Sequence, residues 1–321
     1  TPTMAKEFSK LFCNSATTVV APTEKAKHFL EKYGVTKPIE VIPTGIDTSL
    51  FSKNNFLPED TLALKTSLGL CEDTPVILSV GRVAKEKSID VILRALPKLF
   101  EKIPQARMVI VGDGPEKTNL ENLAKQLDIA HKVLFIGAKP WSEIGKYYQI
   151  GTVFCSASVS ETQGLTFAEA MAGGIPVVAK KDESIQNIIE NNKTGLLFET
   201  QEDLIEKLYL LLCTPTLQKR LSEASFLKMQ ALSVEAFAEN MEVLYQKTIE
   251  LYRPETIYGH IAKRSLSASA KAVKGIYKLP KTIVKKSASK GFIYLPIFHK
   301  NGIGKIEKSL EVDTVNKDLE Q

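Results

Sequence analysis

An α/β fold built on a doubly wound parallel sheet is what this 321-residue sequence predicts. Three observations predict it. Short apolar runs such as Val76-Ile77-Leu78-Ser79-Val80 recur from about residue 74 to 212. Each run is followed by a stretch with helical spacing. The runs are continuous rather than alternating, so both faces of the sheet are expected to be covered. Right-handed crossovers between such units give a Rossmann-like arrangement.

The elements follow in order. Val76–Val80 predicts a strand and Ser88–Phe100 a helix; Met108–Val111 predicts a strand and Glu116–Leu127 a helix. Val133–Ile136 reads as a strand before a helix over Trp141–Gln149. Val153–Cys155 is a strand, followed by a loop and a helix from about Thr166. Pro176–Ala179 is a strand with a helix near Ile185–Glu190, and Gly195–Phe198 is a last strand with a helix over Glu202–Leu212. A long amphipathic helix is expected over Ser233–Leu251. Ahead of the sheet, Thr18–Ala21 and Ile39–Ile42 read as strands around a helix over Glu24–Tyr33. Three such elements cannot bury a core of their own. The expected organisation is therefore the end of a preceding domain at 1–44, a connector at 45–73, a Rossmann-like domain at 74–232, a helix at 233–255 and a tail at 256–321.

Composition bounds the class. Apolar residues make up 44% and charged residues 25%, ordinary values for a globular protein. No apolar stretch is long enough to span a bilayer. The start, TPTMAKEFSKLF, has no charged segment leading into an apolar one, so no signal peptide is expected. Cys13, Cys71, Cys155 and Cys213 are scattered, which fits a reducing cytoplasm better than disulfides or a zinc site. The four histidines, His28, His131, His260 and His299, stand in no ligand or nucleophile spacing.

Charge is uneven. Residues 256–306 hold eleven Lys and Arg with no Asp or Glu, whereas the rest of the chain has 31 basic against 37 acidic residues. A basic segment on a mildly acidic body points to an anionic partner. Within it, Phe292-Ile293-Tyr294-Leu295-Pro296-Ile297-Phe298 lies between Lys290 and Lys300. Cations beside insertable aromatics suit an anionic bilayer surface. No RNA or DNA module accompanies them, so nucleic acid is not an expected partner.

In parallel sheets of this kind ligands sit at the carboxyl ends of the strands. The loops there read GRVAKEK after Val80, GDGP after Val111, GAKP after Ile136 and SASVSETQGLT after Cys155. Three begin with glycine, which admits a ligand or another backbone closely. Arg82 and Lys87 offer a planar fork and a compact charge for phosphate, or are a solvated loop in which Lys87 pairs with a nearby acid. Glu161 and Glu169 stand eight residues apart around Gly164-Leu165-Thr166. Thr166-Phe167-Ala168-Glu169 has the S/T-x-x-E spacing of a capping box, and so does Ser158 with Glu161. Alternatively, a glycine before a helix leaves N–H groups free for a phosphate, and the two carboxylates reach hydroxyls on either side. A nucleotide sugar is anionic in its middle and hydroxylated at both ends.

Arg82-x4-Lys87 after strand-Gly81, GDGP at 112–115, the strand-Gly137 junction in IGAKP, and Glu161-x7-Glu169 around Gly-Leu-Thr together resemble the retaining family 4 glycosyltransferases of the GT-B fold. VAPTEKAKHFLEKYGV and VIPTGIDTSLF resemble the passage between the two domains of that family. The resemblance covers about residues 10–250, and within the family it is nearest to bacterial glucosyltransferases acting on diacylglycerol. It implies that Arg82 and Lys87 hold the donor diphosphate, that Glu169 holds the ribose, and that Glu161 is the catalytic-site carboxylate at the donor sugar. It further implies that Gly164, Leu165 and Thr166 offer backbone groups, that Gly81, Gly112, Asp113 and Gly137 line the cleft, and that Lys139 lies against the base. The donor implied is UDP-glucose, with no cofactor and no metal, since cations and a helix N-terminus stabilise the leaving diphosphate. The partners implied are the nucleotide sugar, a lipid acceptor and an anionic membrane surface, with a peripheral location on the inner face of the cell membrane.

The resemblance also implies a complete N-terminal Rossmann domain for the acceptor, with a glycine-rich loop and a histidine. Of that domain only residues 1–44 are read here, so this chain alone is expected to bind donor better than it transfers sugar. The competing readings are a related epimerase, a transferase to polysaccharide or protein, and a non-catalytic nucleotide-sugar-binding protein.

Overall fold

The strands form where β-branched and large apolar side chains run together without a polar interruption, and their order in space sets the position of the site. The structure, a computed structural model, describes residues 2–159 and 161–251. The basic segment at 256–306, its membrane-surface reading and the rest of the 256–321 tail lie outside the described residues.

In chain order the helices and strands are α1 (Pro2–Ser15), β1 (Val19–Ala21), α2 (Glu24–Lys32), β2 (Ile39–Val41), α3 (Thr48–Phe51), α4 (Pro58–Ser67), β3 (Val76–Val80), α5 (Ile89–Lys102), β4 (Arg107–Val111) and α6 (Lys117–Gln126). They continue with β5 (Val133–Phe135), α7 (Ile144–Gln149), β6 (Val153–Ser156), α8 (Leu165–Ala172), β7 (Val177–Lys180), β8 (Leu196–Phe198), α9 (Gln201–Cys213), α10 (Pro215–Gln230) and α11 (Val234–Leu251).

Six parallel strands form one sheet in the order β5-β4-β3-β6-β7-β8. The chain winds outward from β3 through β4 to β5, then returns to the other side of β3 to begin β6. Ile77 and Leu78 of β3 pair with Val153 and Phe154 of β6 in parallel register. The winding direction reverses between β3 and β6, and a crevice opens beyond their carboxyl ends. The doubly wound α/β class expected from the sequence is the class observed.

Both faces of the sheet are covered, as the continuous apolar strands require. On one face Ile92, Leu93, Leu96 and Leu99 of α5 pack with Leu204 and Leu208 of α9 over Ile77, Met108 and Val178. On the other face Phe51, Tyr148, Phe167 and Met171 pack over Leu78, Val109 and Phe154. Truncating one of these large side chains to alanine costs about 2–5 kcal/mol through lost transfer energy and the cavity left behind. Elsewhere β1 and β2 form a two-stranded parallel sheet around a small cluster of Ala21, Val35 and Ile39.

Four helices stand where no element was assigned from sequence: α1, α3 and α4 within the connector, and α10 after Leu212. One expectation is corrected. Ile185–Glu190 is not a helix: a short 3-10 turn spans Glu183–Ile185, and the chain then turns. Ile185, Ile188 and Ile189 are buried at helical spacing, which imitates a helix. The backbone instead bends so that Glu190 N–H donates to Thr194 Oγ1 at 2.8 Å, and Asn191 and Gly195 pair ahead of β8. No helix among the described residues is long and apolar enough to cross a membrane.

Candidate functional site

Because β3 and β6 are neighbours, the loop after Val80 and the loop after Ser156 face each other at the reversal point. A hollow there is lined by Gly81, Arg82, Lys87, Glu161 and Thr166, with Ser79 and Ser156 on its strand side. Five residues singled out from sequence, taken from two loops of the chain, thus converge. A larger cavity of about 250 Å³ lies away from the strand ends, between Glu40–Pro43 and the Asn240–Lys247 part of α11, and its charged lining groups are Glu40 and Lys247.

Gly112, Asp113, Gly137, Gly164, Leu165 and Glu169 are not among the lining residues; Gly112 and Gly137 instead hold the strand ends together by backbone contact. Gly81 N–H donates to Val111 O and Gly112 N–H donates to Gly137 O, both at 2.9 Å, which ties the three strand-end loops together. Gly112 has φ of +147°, and a Cβ there would lie 1.8 Å from the Gly81 carbonyl oxygen. Such a contact and such a φ leave room for glycine alone. Asp113 is exposed, and its Oδ1 accepts from Gly114 N–H at 2.7 Å, closing the GDGP turn.

The cations meet carboxylates. Lys87 Nζ stands 2.6 Å from Glu161 Oε1, with both side chains mostly withdrawn from solvent. Arg82 pairs with Glu86 one turn along, in an exposed position. The reading in which Lys87 finds a nearby acid is therefore realised, and the acid is Glu161. Lys139 lies over the ring of Tyr147, 5.3 Å from its centre, and does not line the hollow.

Neither capping box forms. Helix α8 begins at Leu165 with Gly164 as its N-cap at φ of +74°, and no side chain caps it. Thr166 is the second residue of the helix rather than the cap, so Glu169 lies too far along to reach back. Phe167 and Ala168 N–H bond to Gly164 O, while those of Leu165 and Thr166 have no partner among the described residues. These open donors sit at the positive end of α8 beside the hollow, a setting that favours an anion. Ser158 Oγ donates to Glu86 O at 3.3 Å, and Glu161 is occupied with Lys87, so that spacing caps nothing either.

Glu169 is buried on α8, one turn beyond Thr166, and its Oε2 accepts from the hydroxyl of Tyr148 at 2.6 Å. Burial pushes its pKa up, and the bond from Tyr148 works in the opposite direction. Tyr148 was not singled out from sequence, because an apolar-facing aromatic on a short helix reads as core. Gln163 was missed too. Its Oε1 accepts from Thr44 N–H at 3.0 Å and its Nε2 donates to Thr44 O at 3.1 Å, a two-bond bracket on the segment after β2. Thr23 Oγ1 donates to Thr162 O at 3.0 Å, and Lys25 pairs with Asp182 at 3.1 Å. Through Thr162 and Gln163 the loop carrying Glu161 is tied to Thr23 and Thr44. Nothing in a linear pattern marks such a long-range side chain-to-backbone bracket.

Residues 60–227 match the family described as Glycosyl transferases group 1, and residues 2–50 match Glycosyltransferase Family 4. The chain is similar to the alpha-monoglucosyldiacylglycerol synthase of Acholeplasma laidlawii, with 30% identity over 77% of this chain and 62% of that protein. It is also similar to the protein of the same name from Streptococcus pneumoniae, with 31% identity over 83% of this chain and 61% of that one. The chain spans about three fifths of the length of these relatives. Among solved structures, Anabaena HepE in complex with UDP and glucose is similar at a TM-score of 0.69 and 20% identity, covering 76% of this chain and 67% of that one. At that identity the likeness is one of fold, and the fold shared is GT-B.

Proposed function

This chain belongs to the glycosyl transferases group 1 family, and on that premise we propose that its protein is a retaining transferase that moves glucose from UDP-glucose to a lipid acceptor such as diacylglycerol. One observation carries the reading: Arg82, Lys87, the open N–H groups of α8 and Glu161 converge at the reversal point between β3 and β6. Two cations and a helix N-terminus form a cradle for a diphosphate, and a carboxylate beside them suits the hydroxyls of the sugar attached to it.

Chemistry follows from where charge develops. As the bond between the anomeric carbon and the diphosphate breaks, negative charge grows on the departing phosphate oxygens. In this proposal Arg82, Lys87 and the α8 N-terminus turn to that charge, and groups that meet developing charge stabilise the transition state more than the ground state. We assign no metal to this role, because these groups already supply the positive charge. Glu161 contacts the donor sugar near the reacting carbon, Glu169 accepts from the ribose hydroxyls, and Lys139 leaves Tyr147 to lie against the base.

The acceptor assignment rests on the two relatives, both alpha-monoglucosyldiacylglycerol synthases, and on the basic, aromatic segment at 256–306. Such a segment would hold a cytoplasmic protein on the inner face of an anionic membrane, where diacylglycerol is found. The test is transfer from labelled UDP-glucose and UDP-galactose by the full-length protein to diacylglycerol vesicles and to soluble saccharides. Label in the lipid from UDP-glucose supports the proposal. Label in a saccharide alone, or in no acceptor, contradicts it.

A further inference from the structure

Tyr148 is fully buried on α7, wedged between the rings of Phe51 and Phe154 at centroid distances of 5.4 and 6.0 Å. A phenol hydroxyl in so apolar a place needs a partner. It has two acceptors on α8: Glu169 Oε2 at 2.6 Å and, more weakly, Thr166 O at 3.4 Å. Thr166 lines the hollow and lies within reach of Gly81. Tyr148 therefore bridges the first turn of α8, at the hollow, and the buried carboxylate one turn deeper.

A carboxylate free to rotate offers either oxygen in several directions. Here one oxygen is held by a short bond from a ring packed between Phe51 and Phe154, which restricts the orientation of the other. The aromatic packing of Phe51, Tyr148 and Phe154 is thus transmitted to a single acceptor atom on α8.

We propose that Tyr148 is a positioning residue that holds Glu169 so that its second oxygen accepts a ribose hydroxyl of the bound nucleotide. The inference rests on the nucleotide-sugar reading given above. It assigns Tyr148 no contact with the ligand; the residue acts through Glu169. The consequence is specificity for the ribose rather than affinity for the diphosphate.

The test compares binding of UDP and 2′-deoxy-UDP by calorimetry on the full chain. Wild type is expected to prefer UDP by about tenfold or more, the scale of a hydrogen bond to a charged group. Tyr148→Phe is expected to shrink that preference about fivefold or more, while 2′-deoxy-UDP binds nearly as before. In a Glu169→Gln background, adding Tyr148→Phe is expected to change the preference no further, the mark of residues acting as one unit. A purely structural role for the hydroxyl lowers thermal stability and leaves the preference unchanged. That result overturns the proposal, as does an equal loss in the Glu169→Gln background. A wild type with no preference removes the ribose reading itself and the inference with it, so the two failures are told apart. If Tyr148→Phe does not fold, wild type carrying 13C at the Tyr148 ring carbon bonded to oxygen gives the answer by NMR. Saturation with UDP is expected to shift this signal and 2′-deoxy-UDP to shift it less; equal shifts or none overturn the proposal.

Discussion

Lys87 and Glu161 hold each other at 2.6 Å across the two loops that face the reversal point of the sheet. In the proposed reading Lys87 is the cation for the diphosphate and Glu161 the carboxylate for the sugar, and here the two are each other's partners. Each keeps the other's charge from standing alone in a half-buried hollow, where an unpaired charge is costly. On that reading a donor competes with Glu161 for Lys87, and in doing so it releases Glu161 towards the sugar.

Glu161→Gln follows directly from that relationship. Removing the competing charge should leave Lys87 free for phosphate and tighten UDP binding about threefold to fivefold, the scale of a partly exposed ion pair. Transfer by the full-length protein should nevertheless fall sharply. Calorimetry and a turnover assay check the two halves, and weakened UDP binding would show that Glu161 is not the competitor.

Arg82→Ala should weaken UDP binding about tenfold or more, since a charge-assisted phosphate contact contributes about 1.5–3 kcal/mol. Its stability cost should be slight. Arg82 is 68% exposed on its side chain and its pair with Glu86 is solvent-screened. Melting curves and UDP titration on the same sample separate the two effects.

Gly112→Ala tests the packing of the strand-end loops behind the hollow. The added carbon meets the Gly81 carbonyl oxygen at 1.8 Å, and φ of +147° is itself unfavourable for alanine. Strain and overpacking together should destabilise by about 3 kcal/mol, with the Gly81 loop displaced. Denaturant melting gives the magnitude, and an unchanged midpoint would contradict this packing.

Much of the fold is legible in the sequence because buried parallel strands leave a plain trace. The order of those strands is not, since a series of strand-helix units reads alike whichever way it winds. That is why four loops were candidates and only the structure brings Arg82, Lys87 and Glu161 to one place. Helix α10 escaped because its buried stripe is Leu221, Ser225 and Met229, where a serine interrupts the apolar pattern. The run at Ile185, Ile188 and Ile189 misled in the opposite sense, with helical spacing in a chain that must turn before β8. The S/T-x-x-E spacing at Thr166 was equally deceptive, because Gly164, with its positive φ, takes the cap position. Tyr148 and Gln163 act through partners 21 and 119 residues away, distances at which spacing carries no signal.

Glu190 gives a pH dependence with a definite sign. Lys193 at 2.7 Å and Lys228 at 2.8 Å pull its pKa down to about 2, from an ordinary value of 4.5. A depressed carboxylate stabilises the fold above its unfolded pKa and loses that contribution as pH falls through the folded value. Wild type should thus melt slightly higher than Glu190→Gln at neutral pH. The gap should narrow as pH falls from about 5 to about 2 and shrink with added salt. A gap that is constant across that range would show that the lysines do not hold Glu190 in solution.

Gln163→Ala should slow transfer more than it weakens UDP binding. The side chain brackets Thr44 through two hydrogen bonds and fixes the loop that carries Glu161, two residues away, while Arg82 and Lys87, the cations proposed for the diphosphate, lie on another loop. Steady-state kinetics of the full-length protein should show a lower kcat with a near-constant UDP affinity. A loss in UDP affinity alone would place Gln163 at the diphosphate instead.

The most direct test of the central claim, that the crevice between β3 and β6 cradles a nucleoside diphosphate, is calorimetric titration of UDP into wild type and Lys87→Ala. Lys87 joins the two facing loops, so its loss should be felt whichever base or sugar the donor carries. The account predicts UDP binding by wild type, weakened about tenfold to a hundredfold in the variant, as expected for the loss of a charge-assisted phosphate contact. Equal affinity in the two proteins, with melting curves showing both folded, would contradict it.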